Sequence, residues 1–253
     1  MKILNKTTID ELKSISYIVI IALAIRTFIF EPYYIPSSSM YDNLQVGDYI
    51  VATKYSYGFS KESFPFSPNI FSGRILKSEP KRGDIIVFRA KNTQRDVRYI
   101  KRLIGLPGDK IQLINGNLYI NDTKIKREYI GEIKNEHGDI FEKFNEVSPE
   151  GKKYTILGLK NYGSWESSLN NTPIFYVPEG KYFFLGDNRD QSRDSRFEMG
   201  FVENEELIAK AQFIFFANSK TLFIDNFSIL DQIKNIWPWI KSIRLSRIFT
   251  CLY

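Results

Sequence analysis

Residues Ile15 to Phe30, ISYIVIIALAIRTFIF, carry a single charge, Arg26, and follow Lys2, Lys6 and Lys13. A stretch this apolar is either buried in protein or placed in lipid, so it constrains the fold more than any other part of the chain. About 20 residues are needed to span a hydrocarbon core, so a crossing helix borrows Leu12 on one side and Tyr33 or Tyr34 on the other. Arg26 then extends its stem toward a headgroup. The lysines ahead of the segment argue for a cytoplasmic N-terminus. A cleavable signal peptide is the rival reading, because Ala22-Leu23-Ala24 satisfies a small-x-small rule after a basic start. Against it, the apolar run continues through Ile25 to Phe30, where cleavable signals turn polar. A buried core helix leaves the flanking lysines unexplained. The sequence therefore reads as an anchor.

Beyond Pro32 and Pro36 the pattern changes to short strands punctuated by Gly, Pro, Asn and Asp, with no convincing amphipathic helix before about residue 225. Asp84 to Arg89, Val97 to Ile104, Lys181 to Leu185 and Ala211 to Phe216 read as core strands. Ile111–Ile114 and Asn117–Ile120 flank Asn115-Gly116, a two-residue hairpin turn signal. Residues 122 to 177 are polar with isolated apolar positions and read as an exposed insertion. Segment 55–80, rich in Ser, Phe and Pro, reads as a long loop lying near the membrane. The tail from Phe227 mixes Trp237, Trp239, Ile243 and Phe249 with Lys241, Arg244 and Arg247. It reads equally as an interfacial helix or as a segment packed on the β body.

Chemistry is bounded by what the chain lacks. The only histidine, His137, sits in a charged stretch, Lys134 to Asp139, which disfavours a Ser/His/Asp triad. One histidine and one cysteine, Cys251, offer neither a zinc site nor a disulfide. No phosphate loop or dinucleotide fingerprint is present. The formal charge of +6 is spread along the chain, which suits solubility better than nucleic-acid binding. A hydroxyl nucleophile would then need lysine as its base. That lysine's pKa must fall about 3 units from roughly 10.4, which costs on the order of 4 kcal/mol and requires burial. Strand alternation puts Lys101 on the face of Tyr99 and Leu103, with Arg102 opposite beside Ile100 and Ile104. On pattern alone Lys101 reads more readily as a surface lysine whose stem covers apolar atoms.

Three segments shift that balance. They are Pro36-Ser37-Ser38-Ser39-Met40 after the hydrophobic span; Arg82-Gly83-Asp84 with Tyr99 to Asp109 (YIKRLIGLPGD); and Gly186 to Arg196 (GDNRDQSRDSR). Together and in this order they resemble the boxes of type I signal peptidases, over roughly residues 20–110 and 180–217. The resemblance implies a mainly β fold: a coiled, barrel-like antiparallel catalytic core, an inserted β subdomain and one N-terminal transmembrane helix. The chain divides accordingly into a cytoplasmic start (1–14), anchor (15–34), core (35–121 and 178–225), insertion (122–177) and C-terminal segment (226–253).

The resemblance makes Ser39 the nucleophile and Lys101 the general base. Ser37 Oγ and the Ser39 amide form the oxyanion hole, Ser192 orients the amine, and Asp194 with Arg196 braces the site. It also implies a monomeric enzyme without cofactor or metal, and no nucleic-acid partner. The enzyme sits on inner-membrane phospholipid, with its catalytic part on the outer, periplasmic side. Its substrates are secretory preproteins, cut after small residues. Two features depart from the family: Ser38 stands where a glycine is usual, and Tyr41-Asp42-Asn43 precede Leu44 where a proline and a threonine are usual. A self-cleaving repressor-type protease would need an N-terminal DNA-binding domain where this chain has an apolar span. A catalytically dead preprotein-binding module would not need Ser39, Lys101 and Ser192 together.

Overall fold

The computed structural model describes residues 6–69, 71–91, 97–135, 138–160, 167–197, 199–220 and 236–252. His137 lies outside them. The chain opens with helix α1, Lys6–Phe28. Strands β1 Phe30–Tyr34, β2 Asp48–Thr53, β3 Ile85–Arg89 and β4 Arg98–Gly105 follow. Next come β5 Lys110–Ile114, β6 Asn117–Ile120 and β7 Thr123–Lys124. The long strands β8 Lys126–Lys134, β9 Ile140–Val147 and β10 Lys153–Leu159 precede β11 Phe175–Tyr176. Last are β12 Lys181–Leu185, β13 Val202–Glu203 and β14 Leu207–Ala217.

The expected anchor at 15–34 is corrected at its end. Residues 30–34 are a strand paired antiparallel with β2, not helix. No helix among the described residues is long and apolar enough to cross a membrane. The reason is length: the apolar part of α1 runs from Ile15 to Phe28, about 21 Å at 1.5 Å per residue, against a hydrocarbon core of about 30 Å. Extending it toward the N-terminus takes in Lys13, Glu11 and Asp10. The apolar side chains of α1 are nonetheless exposed all round the helix, Tyr17, Ile18, Ile20 and Leu23 among them.

The main sheet is antiparallel in the order β1-β2-β14-β3-β4-β12-β13. Bulges in β14 and β12 bend it. It coils until β1 and β4, which are not neighbours in the sheet, approach each other. Tyr33 of β1 and Ile100 of β4 pack against the same buried residues, and the Arg98 guanidinium stands 5.7 Å from the Tyr33 ring centroid. Ile86, Phe88, Leu103, Tyr182, Phe184 and Leu207 fill the centre, where Phe88 and Phe184 rings lie 4.4 Å apart.

A second sheet, β11-β5-β6-β7, carries the Asn115-Gly116 hairpin with both turn residues at positive φ. It straddles the boundary drawn at residue 122, because β7 pairs with β6 and β11 with β5. A third sheet, β10-β9-β8, occupies the region read as an exposed insertion. That region shares the main core, since Ile125, Tyr154 and Ile156 pack in one cluster with Phe183 and Leu185. In the long loop, Phe59 and Phe64 hold the Phe28 ring at 5.5 and 6.0 Å, so the loop seats the end of α1. Among the described residues of the C-terminal segment, 236–241 are helical and Leu245–Arg247 form a 3-10 turn, and from Ser242 onward the chain folds back on the body. Phe249 and Leu252 donate backbone hydrogen bonds to Ile214 and Gln212 of β14, making the tail an added edge.

Candidate active site

Three stretches of chain converge at one end of the coiled sheet. After β1, Ile35 is buried and turns the chain into 36–44, a tight turn in which Leu44 N–H bonds the Met40 carbonyl. Met40 and Leu44 plug this turn into the core. Ser37 and Ser38 remain exposed while Ser39 is buried. Ser38, in the glycine position, is not among the residues with positive φ, so this backbone asks for no glycine.

Strand β4 supplies Lys101, which is 4% exposed. Its amine lies 2.5 Å from Ser39 Oγ and 3.1 Å from the Ile100 carbonyl. Ser37 Oγ lies 3.3 Å from Ser39 Oγ. Burial pushes the Lys101 pKa down to about 8; the carboxylates of Asp194 and Asp187 partly oppose that fall. A buried amine with a lowered pKa, in contact with a serine hydroxyl, has the proton affinity and placement of a general base.

The third stretch follows β12. Gly186 donates its N–H to Asp194 Oδ2 at 3.0 Å. It leaves no room for a side chain: a Cβ there would stand 2.5 Å from the Ser39 carbonyl and closer still to Ser192. Asn188 secures the serine segment twice, its backbone N–H to the Ser39 carbonyl at 3.1 Å and its Nδ2 to the Ser38 carbonyl at 3.2 Å. Ser192 Oγ is buried with no partner at hydrogen-bonding geometry, though near enough to Asp194 to favour that carboxylate. Burial alone would raise the Asp194 pKa. The Arg196 guanidinium, bidentate at 2.8 and 2.9 Å, holds it below the usual range. Ser37, Ser39, Lys101, Ser192, Asp194 and Arg196 are thus drawn into one neighbourhood. No hydrogen bond joins Ser192 to the Lys101 amine.

Residue-pattern reasoning assigned no role to the pair beside this site. Arg102 is fully buried and meets Asp187 in two bonds, Nε at 2.7 Å and Nη2 at 2.8 Å, and stacks 4.4 Å from the Tyr154 ring centroid. Asn43, in the turn after the nucleophile, adds its Nδ2 to Asp187 at 2.8 Å and to the Thr155 carbonyl at 2.7 Å. The available signal was an arginine amid apolar residues of a core strand, which demands a buried acidic partner. Among the described residues no three His, Cys, Asp or Glu side chains gather as metal ligands.

Comparison with known proteins agrees. The family model described as "Signal peptidase, peptidase S26" matches residues 8–216. The chain is 51% identical to signal peptidase I of Rickettsia canadensis (strain McKiel), over 98% of this chain and 95% of the relative. It is 50% identical to that of Rickettsia prowazekii (strain Madrid E), over 98% and 96%. A crystal structure of a signal peptidase I from Enterococcus faecalis V583 aligns with 53% of this chain and 97% of its own at 30% identity. Its TM-score of 0.31 is too low to establish a common architecture. With a family match across most of its length and half its residues shared with full-length relatives, the chain belongs to the signal peptidase family, peptidase S26.

Proposed function

We propose that this chain removes N-terminal signal peptides from exported preproteins with a Ser39/Lys101 dyad. The observation that carries the reading is the 2.5 Å contact between the Ser39 hydroxyl and a buried amine whose pKa is lowered to about 8. With that pKa about a tenth of the amine is neutral at pH 7, and the fraction rises as pH approaches 8. Neutral Lys101 takes the Ser39 proton as Oγ attacks the scissile carbonyl. The developing oxyanion is met by Ser37 Oγ and the Ser39 N–H. Lys101 next protonates the leaving amine, then takes a proton from the water that hydrolyses the acyl-enzyme. Asp194, fixed by Arg196, holds Gly186 in place and so keeps Ser192 and the Ser39 backbone in register.

The substrate lies as an extended strand between β1 and β4. Four antiparallel steps through β2, β14 and β3 give these two strands the same direction, both running toward the dyad. Arg98 to Lys101 pair with β3 on one side, and β12 pairs with β4 only from Arg102 onward. That leaves an open edge for strand addition, and the small residues at the first and third positions before the cut are carried over from the family resemblance.

Lipid contact is supported by α1, since a helix apolar on all sides is stable only when covered. A short apolar segment is accommodated by local thinning of the bilayer and by extension of Arg26. In this reading the lysines before α1 face the cytoplasm and the β body lies on the outer side. The test is cleavage of a secretory preprotein in detergent by wild type, Ser39→Ala and Lys101→Ala, with the cut site read by mass spectrometry. Cleavage after a small-x-small sequence, reduced about a thousandfold or more in each variant, is the expected result. Near-normal activity in Lys101→Ala would overturn the base assignment.

A further inference from the structure

The slot between β1 and β4 ends, away from the dyad, in a cluster of charge. Glu31 of β1 is buried and shared by three cations. Its Oε1 accepts from Arg26 Nη2 at 2.7 Å and from Arg98 Nη1 at 3.1 Å, and its Oε2 meets Lys54 Nζ at 2.8 Å. Tyr33 Oη also donates to Oε2, at 2.8 Å. One carboxylate cannot neutralise three cations, so two positive charges remain in excess. Lys54 is buried, and its amine is further held by the Ser63 carbonyl at 2.7 Å. The excess is therefore presented by Arg98 and Arg26, whose side chains are 41% and 58% exposed.

Arg98 begins β4 three residues before Lys101, so its backbone lies about 10 Å up the slot from that of Lys101, with its side chain on the Ile100 face beside Tyr33 rather than on the Lys101 face. The Arg98–Glu31 bond joins β4 to β1 at that point, closing the slot's end. Which half of a bound peptide lies there follows from α1. The apolar part of a signal precedes the cut, and Arg26 belongs to the exposed apolar helix. Residues upstream of the cut therefore run toward Arg98.

We propose that Arg98, supported by Arg26, is a charge filter for the preprotein segment four to six residues before the cut, favouring acidic residues there and disfavouring basic ones. The inference rests on the proposed strand binding of a preprotein in the β1–β4 slot. A partly exposed excess charge discriminates modestly: exchanging an acidic for a basic residue should change kcat/KM about tenfold at low salt. Added salt should weaken that preference, which a packing role for Arg98 would not produce.

The test uses the full chain in detergent and peptides with alanine at the first and third positions before the cut. Asp, Ala or Lys is placed singly at the fourth, fifth or sixth position, and also after the cut. The expected result is an Asp-over-Lys preference of about tenfold at one of the upstream positions in about 50 mM NaCl, falling below about threefold in about 500 mM. Arg98→Gln should bring the low-salt ratio within about threefold, and Arg26→Gln should reduce it in part. Each ratio is taken within one enzyme, so a loss of folded protein does not alter it. Equal cleavage of Asp and Lys peptides by wild type would overturn the filter. So would a ratio unchanged in both variants, or discrimination confined to positions after the cut. Failure of wild type to cut any of these peptides, while it cuts none of the small-x-small preproteins either, would instead sink the proposed function and the filter with it.

Discussion

Replacing Lys101 with methionine should make the protein more stable at neutral pH while abolishing its chemistry. The amine is almost wholly buried and its pKa falls from 10.5 to about 8. That shift corresponds to a penalty of about 3 kcal/mol for keeping the group charged in the folded state. The folded pKa lies below the unfolded one, so between pH 8 and 10.5 the unfolded chain binds more protons, and wild-type stability rises with pH across that window. Below pH 8 the penalty is fully present. Methionine has similar bulk and no charge, but it forfeits the amine's hydrogen bonds to Ser39 Oγ and the Ile100 carbonyl, worth about 1 kcal/mol each. The net gain at pH 7 should be about 1–3 kcal/mol, or roughly 2–10 °C in Tm for a chain of this size. Circular dichroism melts in detergent from pH 6 to 10.5, on wild type and Lys101→Met side by side, read it directly. The two curves should converge as pH rises. Parallel pH dependences, or a variant less stable at pH 7, would refute the claim that Lys101 is held at a lowered pKa by burial.

Gly186→Ala should overpack the site, because its Cβ meets the Ser39 carbonyl and Ser192; a cost of about 1–3 kcal/mol and a kcat lowered more than KM is raised are the expected readings in melts and peptide kinetics. Arg102→Met alone strands Asp187 and should cost about 3–5 kcal/mol, whereas Arg102→Met with Asp187→Leu should recover more than half of that in denaturant unfolding. Asp190 is pushed up to about 6 by burial, with its Oδ2 accepting from the Leu159 N–H at 2.6 Å. Its folded pKa exceeds the unfolded one, so stability is lost as pH rises from about 4 to 6. Asp190→Asn should be more stable by about 3 kcal/mol above pH 6 and equal to wild type below pH 4, checked by chemical denaturation at both ends.

How much of this was legible in the sequence differs element by element. The strands at 181–185 and within 84–89 were readable because both faces are buried and therefore apolar and β-branched or aromatic, and those within 97–104 and 211–216 because their runs are mostly apolar although their burial is partial. Strands β8, β9 and β10 were not. β8, KREYIGEIK, has no buried position, and its pairing is decided by register with β9 rather than by a core-facing stripe. The end of α1 was misplaced because Ile29 and Phe30 continue the apolar run past Phe28, and Tyr33 and Tyr34 suit a membrane interface despite Glu31 and Pro32 between them. The chain stops being helical there because Ile29 to Tyr34 find strand partners in β2 and Lys54. The tail's packing on β14 was left open because its aromatic and basic residues suit a lipid interface as well as a protein edge.

The site itself turned on two adjacent charges in β4, and alternation could place them on opposite faces without saying which face was dry. Both are. A seven-stranded sheet that coils and is covered on its far side by β10 buries residue 101 toward the serine turn and residue 102 toward Asp187 and Tyr154. The two side chains respond differently because their chemistry differs. Arginine cannot shed its proton, so Arg102 requires a full carboxylate partner and becomes a fixed strut. Lysine can shed one, so Lys101, facing a hydroxyl and a carbonyl with no carboxylate in contact, settles part of its burial cost by lowering its pKa. Exchanging their partners would exchange their roles. A carboxylate placed in contact with Lys101, as in Ser39→Asp, should return its pKa above 10, an outcome that titration of a 15N-labelled lysine amine would detect. A pKa that stayed near 8 beside the new charge would mean that something other than the missing counter-ion keeps this amine neutral.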